Sequence, residues 1–226
     1  MAKVILHKGE VFERMFINEP SLELSIEQEA GSRMKIYVIN FFGITGGRDI
    51  GMPIHNSITI SQLGEGCETE IYALAYLHGE EEVTTETHVT HAVGGGKSNQ
   101  LIKFVLDDNS HGRFVGDLKI VPDAQKTEAH QTNRNLLLSE AAEMRTQPQL
   151  EIYADDVQAT HGASTGQLDE SALFYMQQRG IDKQKARQLL VNAFMKEVLD
   201  KIPDSLIHSL PDSLSPLLNS IDGVVE

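Results

Sequence analysis

The feature that most constrains the fold is a series of short segments, between about Val4 and Ala159, in which apolar and polar residues alternate. This alternation, with enrichment in Val, Ile, Thr and Tyr, predicts β-strands, and the Gly, Asn and Asp residues between the segments predict turns. Many short strands fit a β-sandwich, a barrel or a parallel β-helix, and periodicity alone leaves all three open. The predicted strand segments are 35–41, 57–61, 69–76, 82–90, 100–106 and 112–120.

The periodicity changes beyond residue 166, where helices are expected. Asp169 is placed to cap a first helix, Gly180 to end it, and Asp182 to cap a second helix. Strands followed by helices predict a mainly β chain with two parts, a β core over 1–166 and a small helical domain over 167–226. Apolar residues at helical spacing predict the buried face of the second helix, namely Ala186, Leu189, Leu190, Ala193, Phe194, Val198 and Leu199.

Charge and cysteine content argue against several classes of protein. With 19 basic and 33 acidic residues, the net charge of −14 would repel a phosphate backbone, which argues against nucleic-acid binding. The single cysteine, Cys67, cannot form an intramolecular disulfide or supply a Cys-rich zinc or iron–sulfur site within one chain. The sequence contains no apolar run long enough to span a bilayer, and its first residues lack the pattern of a signal peptide. We therefore expect a cytoplasmic protein that does not act at a membrane.

Two patterns resemble known sites but fail on physical grounds. The run Gly94-Gly95-Gly96-Lys97-Ser98 looks like the end of a phosphate-binding loop, but His91 stands where that motif needs its first glycine and no long helix follows. His88 and His91 lie on a predicted strand, where residues three apart point to opposite faces. They are therefore not expected to chelate one metal ion.

The most informative stretch runs from Pro148 to Ile181. Its residues alone predict a strand that carries the acidic pair Asp155-Asp156, then a polar turn centred on His161-Gly162, and then a capped helix. By itself, a histidine between a strand and a helix is more typical of a structural turn than of a site.

The same stretch resembles the SufB/SufD family of iron–sulfur cluster assembly proteins, and it is closer to SufD. The resemblance covers about residues 80–203. The motifs that carry it are 150–157 (LEIYADDV), 161–163 (HGA), 173–175 (LFY) and 179–181 (RGI), with upstream matches at 114–121, 124–131 and 133–138.

This resemblance implies a right-handed parallel β-helix followed by a small C-terminal helical domain, and a scaffold role without catalysis. It implies pairing with a SufB-like or identical subunit through the β-helix, with His161 and Gly162 at the pairing interface. His161 is then a candidate iron ligand, and an iron–sulfur cluster would be transient and shared across subunits. A SufC-type ATPase would dock on the C-terminal helices, at Phe174, Tyr175, Arg179, Gly180 and Phe194.

The chain departs from the family pattern in ways that leave other functions open. Typical SufD proteins carry an N-terminal helical domain, and many have a cysteine where this chain has Ala159. One alternative is therefore a structural SufD-like paralog without cluster chemistry. Another is a stand-alone β-helix enzyme acting on carbohydrate, which requires clustered carboxylates. Asp155 and Asp156 make a weak pair for that purpose because adjacent strand residues point to opposite faces.

Overall fold

The computed structural model describes residues 2–41 and 52–210. Strands occupy most of this part of the chain, and helices follow them, as the periodicity predicts. The strands are β1 Ala2–Leu6, β2 Val11–Ile17, β3 Ser21–Gln28, β4 Arg33–Phe41, β5 Ile54–Gln62, β6 Glu68–Leu77, β7 Glu82–His91, β8 Lys97–Leu106, β9 His111–Ile120, β10 Thr127–Leu137, β11 Glu143–Ile152 and β12 Val157–Gln167. The helices are α1 Glu170–Gln178, α2 Lys183–Leu199 and α3 Asp204–Ile207.

Successive strands alternate between two six-stranded sheets. One sheet has the order β1-β3-β5-β7-β9-β11, and the other has the order β12-β10-β8-β6-β4-β2. The ten strand pairings are all parallel. A chain that alternates between two parallel sheets winds as a coil, so the predicted parallel β-helix is confirmed and the sandwich and barrel are excluded. We call these the odd sheet and the even sheet.

The corners of the coil depend on a special backbone conformation. Five of the corners that lead from an odd strand to an even strand contain a residue with positive φ, which glycine adopts without steric cost. These residues are Gly9 (72°), Gly31 (68°), Gly66 (69°), Gly95 (71°) and Lys126 (58°). The glycines that punctuate the sequence are therefore corner residues of a regular coil.

The protein buries two apolar layers. Inside the coil, inward-facing residues of both sheets form a core of mainly aliphatic side chains, such as Ile36, Ile58 and Ile71. Outside it, α2 packs on the outer face of the even sheet and forms a second cluster with Tyr37, Tyr72 and other residues. The even sheet is therefore covered on both faces, which explains the nearly continuous burial of β4, β6 and β8.

The six predicted strands and the helix caps are confirmed. The strands extend each predicted segment by up to a few residues. Asp169 and Asp182 cap α1 and α2 by accepting hydrogen bonds from backbone N–H groups, and Gly180 has φ of 84° just beyond α1. Residues 211–226 of the predicted helical domain lie outside the described residues.

Three local predictions are wrong. His161 and Gly162 lie in the middle of β12 rather than in a turn, because parallel pairing with β10 outweighs the turn preference of the Gly- and Ser-rich sequence. Asp155 and Asp156 lie in the bend between β11 and β12 rather than on a strand. On α2 the buried face consists of Ala186, Val191, Asn192, Met195, Val198 and Leu199, whereas Leu189, Leu190 and Phe194 are only partly buried and Ala193 is exposed.

Candidate functional site

The last coil of the β-helix, formed by β11 and β12, differs from the coils formed by β3 to β10. Within residues 2–41 and 52–210, each of these strands is at the edge of its sheet and has a strand partner on one side only, as have β1 and β2 at the opposite end. Their inward-facing side chains are only partly buried or exposed, whereas those of the preceding coil are buried. The interior core is thus open at this end of the coil.

Unpaired backbone groups line this open end. In a parallel ladder the N–H and C=O of one residue point to one neighbour and those of the next residue to the other side. The N–H of Glu143 donates to the carbonyl oxygen of Ser110, and the N–H of Tyr153 donates to that of Ile120. The backbone groups of odd-numbered residues of β11 therefore face β9, and those of even-numbered residues face the free edge. On β10 the N–H of Glu128 donates to the carbonyl oxygen of Gly96, so the backbone groups of even-numbered residues face β8 and those of odd-numbered residues face β12. In a parallel pair, the residue aligned with one that faces its partner strand points its own backbone groups away. By the same alternation, the backbone groups of His161 and Ala163 on β12 face the free edge.

His161 lies at the centre of this open end. It is aligned with Gln131 of β10, which is buried and faces the interior, so His161 is on the inward-facing side of β12. Its side chain is exposed because, in the part of the chain that the structure describes, no further strand follows β12 in the sheet. Ala159, two residues earlier, shares that inward face and is aligned with the buried Ala129. A Cβ built on Gly162 would have no atom within 4 Å.

A metal held at this place would need ligands from elsewhere. Among residues 2–41 and 52–210 there is no group of three or more His, Cys, Asp or Glu side chains that could hold an ion. Cys67 is fully buried, and its thiol donates to the carbonyl oxygens of Glu29 and Gly64, both at 3.2 Å. His161 is thus a single candidate ligand at an open edge, and Cys67 is a structural core residue.

Helix α1 presents an aromatic surface to solvent. Leu173 is its one buried residue, whereas Phe174 and Tyr175 are 63% and 60% exposed. The guanidinium of Arg179 lies 5.0 Å from the centre of the Tyr175 ring and donates to the Tyr175 hydroxyl at 2.8 Å. Adjacent exposed aromatic side chains with an arginine are typical of protein-binding surfaces.

Phe194 is placed differently from the other predicted docking residues. It is partly buried and packs against the cluster beneath α2. The ammonium of Lys103 lies 4.2 Å from its ring centre and donates to its backbone carbonyl at 2.7 Å. Lys103 also forms an ion pair with Glu197, which Arg134 contacts at 3.0 Å. This arrangement fixes α2 to the sheet.

The two histidines of β7 lie on opposite faces, as predicted. His88 is on the outer face and pairs with Asp117 at 2.7 Å. His91 is inside the coil, and its Nε2 is 2.8 Å from the hydroxyl of Ser98. Burial lowers the pKa of His91 from 6.5 to about 4, so it is neutral at neutral pH.

The glycine run at Gly94–Gly96 is explained by packing. A Cβ on Gly94 would lie 2.5 Å from the carbonyl oxygen of Gln125, and one on Gly96 would lie 2.2 Å from the side-chain oxygen of Gln62. β8 follows directly, so there is no helix N-terminus to hold a phosphate.

Comparison with known families decides the relationship. A model of the family described as "SUF system FeS cluster assembly, SufBD core domain" matches residues 6–194, which is most of the chain. The chain belongs to this family. The motif resemblance is therefore confirmed.

Several curated SufBD relatives are similar to this chain. It is 40% identical over 151 residues both to the SufBD family protein slr0076 of Synechocystis and to the iron–sulfur cluster assembly protein SufD of Escherichia coli. These matches cover 66% of this chain but 33% and 35% of those proteins. The chloroplastic protein ABCI7 of Arabidopsis thaliana is 31% identical over 213 residues, which is 91% of this chain and 43% of that protein. The chain thus spans well under half the length of these SufBD relatives.

The described part of this SufBD chain contains no helix that is both long enough and apolar enough to cross a bilayer.

Three buried polar residues of this SufBD chain were not predicted from the sequence. Gln100 and Gln131 are inward-facing strand residues where apolar side chains are usual, and Lys103 is a nearly buried cation on the outer face of β8. A signal was present for Lys103, because it is flanked by apolar residues on both sides, whereas the inward positions next to Gln131 on β10 are themselves partly polar. That signal indicates burial with polar partners, but it does not say which partners.

Proposed function

We propose that this chain is a non-catalytic scaffold subunit of SUF-type iron–sulfur cluster assembly. It pairs through the open last coil of its β-helix with a SufB-like or identical subunit. The observation that carries the proposal is the pair of free edges on β11 and β12, with His161 exposed between them. Free strand edges readily bind another strand, and proteins normally protect them.

The nascent cluster is the cargo of this interface. An imidazole nitrogen is a suitable ligand for iron, and His161 places one at the edge where the partner strand would lie. Ala159 has no thiol and Cys67 is buried, so the described residues supply one ligand, His161, and the partner or external sulfide supplies others. The cluster is therefore shared between subunits and transient.

A SufC-type ATPase would bind at α1. Phe174 and Tyr175 supply apolar area and Arg179 a cation at the rim, and Gly180, with its positive φ, lies just beyond the end of the helix. Phe194 contributes indirectly, because it fixes α2 to the sheet and α1 packs on α2.

The scaffold role is favoured over the carbohydrate-active alternative by the position of the acidic pair. Asp155 and Asp156 are both exposed in the bend that joins β11 to β12 at a corner of the coil. A glycosidase holds two carboxyl groups on opposite sides of a bound sugar. This bend provides no such arrangement.

Anaerobic cluster assembly with the partner subunit and the ATPase tests the role of His161. We expect His161→Ala to lower the yield of cluster, read from its visible absorbance, by about tenfold, which corresponds to a lost interaction of about 1.4 kcal/mol. His130→Ala is the matched control, since His130 is an exposed histidine on the outer face of β10. Equal yields from His161→Ala and wild type would remove His161 from the site.

Calorimetric titration with the ATPase alone tests the docking surface. We expect Phe174→Ala with Tyr175→Ala to weaken binding by about 30-fold, the loss of a typical interface hot spot. Tyr153→Ala is the control, because Tyr153 is 58% exposed but lies between β11 and β12, away from α1. If the α1 variant binds as tightly as wild type, the ATPase docks elsewhere.

A further inference from the structure

A polar column runs inside the coil toward His161. From β4 to β12 of the even sheet, the inward-facing residues that align in register are Ile36, Ile71, Gln100, Gln131 and His161. The first two are apolar, whereas the last three, on β8, β10 and β12, are polar. Gln100 and Gln131 are almost completely buried, and His161 ends the column at the open coil.

The polar atoms of this column are incompletely paired. The side-chain nitrogen of Gln131 donates to the side-chain oxygen of Gln100 at 3.4 Å. Within the described part of the chain, the Gln131 oxygen, the Gln100 nitrogen and the hydroxyl of Thr87 on the facing sheet have no hydrogen-bond partner. A buried polar group without a hydrogen bond lowers the stability of the fold, so we expect each of these atoms to have a hydrogen-bond partner.

The odd sheet leaves room for these side chains at one glycine. Gly116 of β9 is aligned with Thr87 and Pro148 and lies across the interior from Gln131. A Cβ at Gly116 would lie 2.5 Å from the Gln131 side-chain nitrogen and 2.6 Å from the Phe114 ring. The space that Gln131 occupies therefore exists because residue 116 has no side chain.

We propose that Gln131 is a positioning residue for His161, whose ring N–H donates to the unpaired Gln131 side-chain oxygen through one water molecule or after rotation of the imidazole ring. Neighbouring parallel strands are about 4.8 Å apart, so inward-facing side chains aligned across them are within hydrogen-bonding reach. The inference rests on the proposed function, since it assigns the orientation of the same histidine.

The hydrogen bond has a chemical consequence for the histidine. A ring nitrogen that donates to Gln131 carries the proton, which leaves the lone pair on the other nitrogen. That nitrogen then faces the open end, where iron would be received. Support of a ligand histidine by an acceptor on its second nitrogen is how proteins generally fix the tautomer and the ring orientation.

The test measures the His161 tautomer in the complete chain, without iron or partner, by long-range ¹H–¹⁵N correlation at pH 8. We expect one tautomer to dominate in wild type. Gln131→Leu should shift the ratio by about fivefold toward that of a solvent-exposed histidine, the effect of losing one hydrogen bond. Gln131→Glu keeps an acceptor oxygen and should retain the wild-type ratio.

Two controls separate positioning from general structural damage. Gln100→Leu alters the same column one strand further from His161 and should leave the tautomer ratio unchanged. Gln131→Met replaces Gln131→Leu if the leucine variant does not fold. A wild-type ratio equal to that of an exposed histidine, or a ratio unchanged by loss of Gln131, would overturn the proposal. Either result would leave the assembly test of His161→Ala unaffected, so the two proposals can fail separately.

Discussion

At the scale of single residues, the buried histidine of β7 makes stability depend on pH. The unfolded chain protonates His91 near pH 6.5, whereas the folded protein does so only near pH 4, because burial disfavours the charged imidazole. The contribution of neutral His91 to the free energy of unfolding is therefore complete above pH 6.5 and is lost as the pH falls toward 4. We expect the free energy of unfolding to drop by about 2 kcal/mol from this group between pH 7.5 and pH 5.

Urea unfolding of wild type and two variants at both pH values measures this effect. In His91→Gln, the fall in the free energy of unfolding between the two pH values should be about 2 kcal/mol smaller than in wild type. His88→Gln, on the outer face of the same strand, should leave the contribution of His91 intact. The same pH dependence in His91→Gln and wild type would show that another group is responsible.

Two glycines of neighbouring coils should respond in opposite ways to alanine. Gly116→Ala places a methyl group against Gln131 and Phe114, and we expect a loss of about 1–3 kcal/mol in the free energy of unfolding. Gly162→Ala meets open space, and we expect no loss or a gain of about 0.5 kcal/mol, because alanine restricts the unfolded chain. Chemical denaturation measures both, and equal losses would contradict the packing around Gly116.

The site histidine shows what a sequence reveals at this scale. The sequence singles it out as a candidate, because residues 161–163 carry part of the family resemblance. Its conformation was not predictable, since Gly162, Ser164 and Gly166 have turn preferences that pairing with β10 outweighs. Gln131 was not predictable as its neighbour, because alignment across strands depends on the lengths of the corners between them.

At the scale of elements, the attachment of α2 depends on one nearly buried cation. The side chain of Lys103 is 3% exposed and is paired with Glu197, which is 42% exposed. Burial lowers the pKa of Lys103, and Glu197 opposes that shift. Burial alone would raise the pKa of Glu197, but the hydrogen bond and charge of Lys103, with Arg134, hold it below its usual range.

Glu197→Gln should therefore cost more stability than Lys103→Met. The glutamine leaves the buried ammonium of Lys103 without its counter-charge. We expect this to lower the free energy of unfolding by about 2 kcal/mol. Methionine removes the charge and keeps most of the side-chain volume, so we expect a smaller loss. Denaturant titration measures both, and a larger loss for Lys103→Met would show that the lysine stabilises α2 mainly through other contacts.

The helical elements were predictable at their ends but not on their faces. Asp169, Gly180 and Asp182 act through local backbone geometry that the sequence encodes directly. Which face of α2 is buried depends on the sheet beneath it, where the polar Lys103 lies under the helix. Apolar periodicity therefore assigned Leu190 and Ala193 to a buried face that Met195 and the polar Asn192 in fact occupy.

At the scale of the whole molecule, the β-helix could be predicted from the sequence more completely than the surface that binds a partner. Alternating strands and corner glycines predict a β-rich chain, and the family resemblance selects the parallel β-helix from the β folds. An open last coil cannot be identified from periodicity, because an edge strand and a central strand alternate in the same way. The exposed inner face of β12 appears only when the sheets are assembled.

Proline substitution on β12 should separate folding from pairing. The N–H of Ala163 faces the free edge, so Ala163→Pro removes a donor that a partner strand would use while sparing the bonds to β10. We expect this variant to fold and to weaken subunit pairing by about tenfold, as measured by sedimentation. Gly162→Pro removes a bond to β10 instead and should destabilise the fold itself. Wild-type pairing by Ala163→Pro would place the interface elsewhere.

Hydrogen–deuterium exchange of the chain, free and in complex with a SufB-type subunit and a SufC-type ATPase, tests the scaffold function most directly. The partner subunit should slow exchange in β11 and β12, at 143–152 and 157–167, because it pairs with their free backbone groups. The ATPase should slow exchange in α1, at 170–178. Unchanged exchange in these segments, or protection confined to β1 and β2 at the opposite end, would contradict pairing through the open last coil.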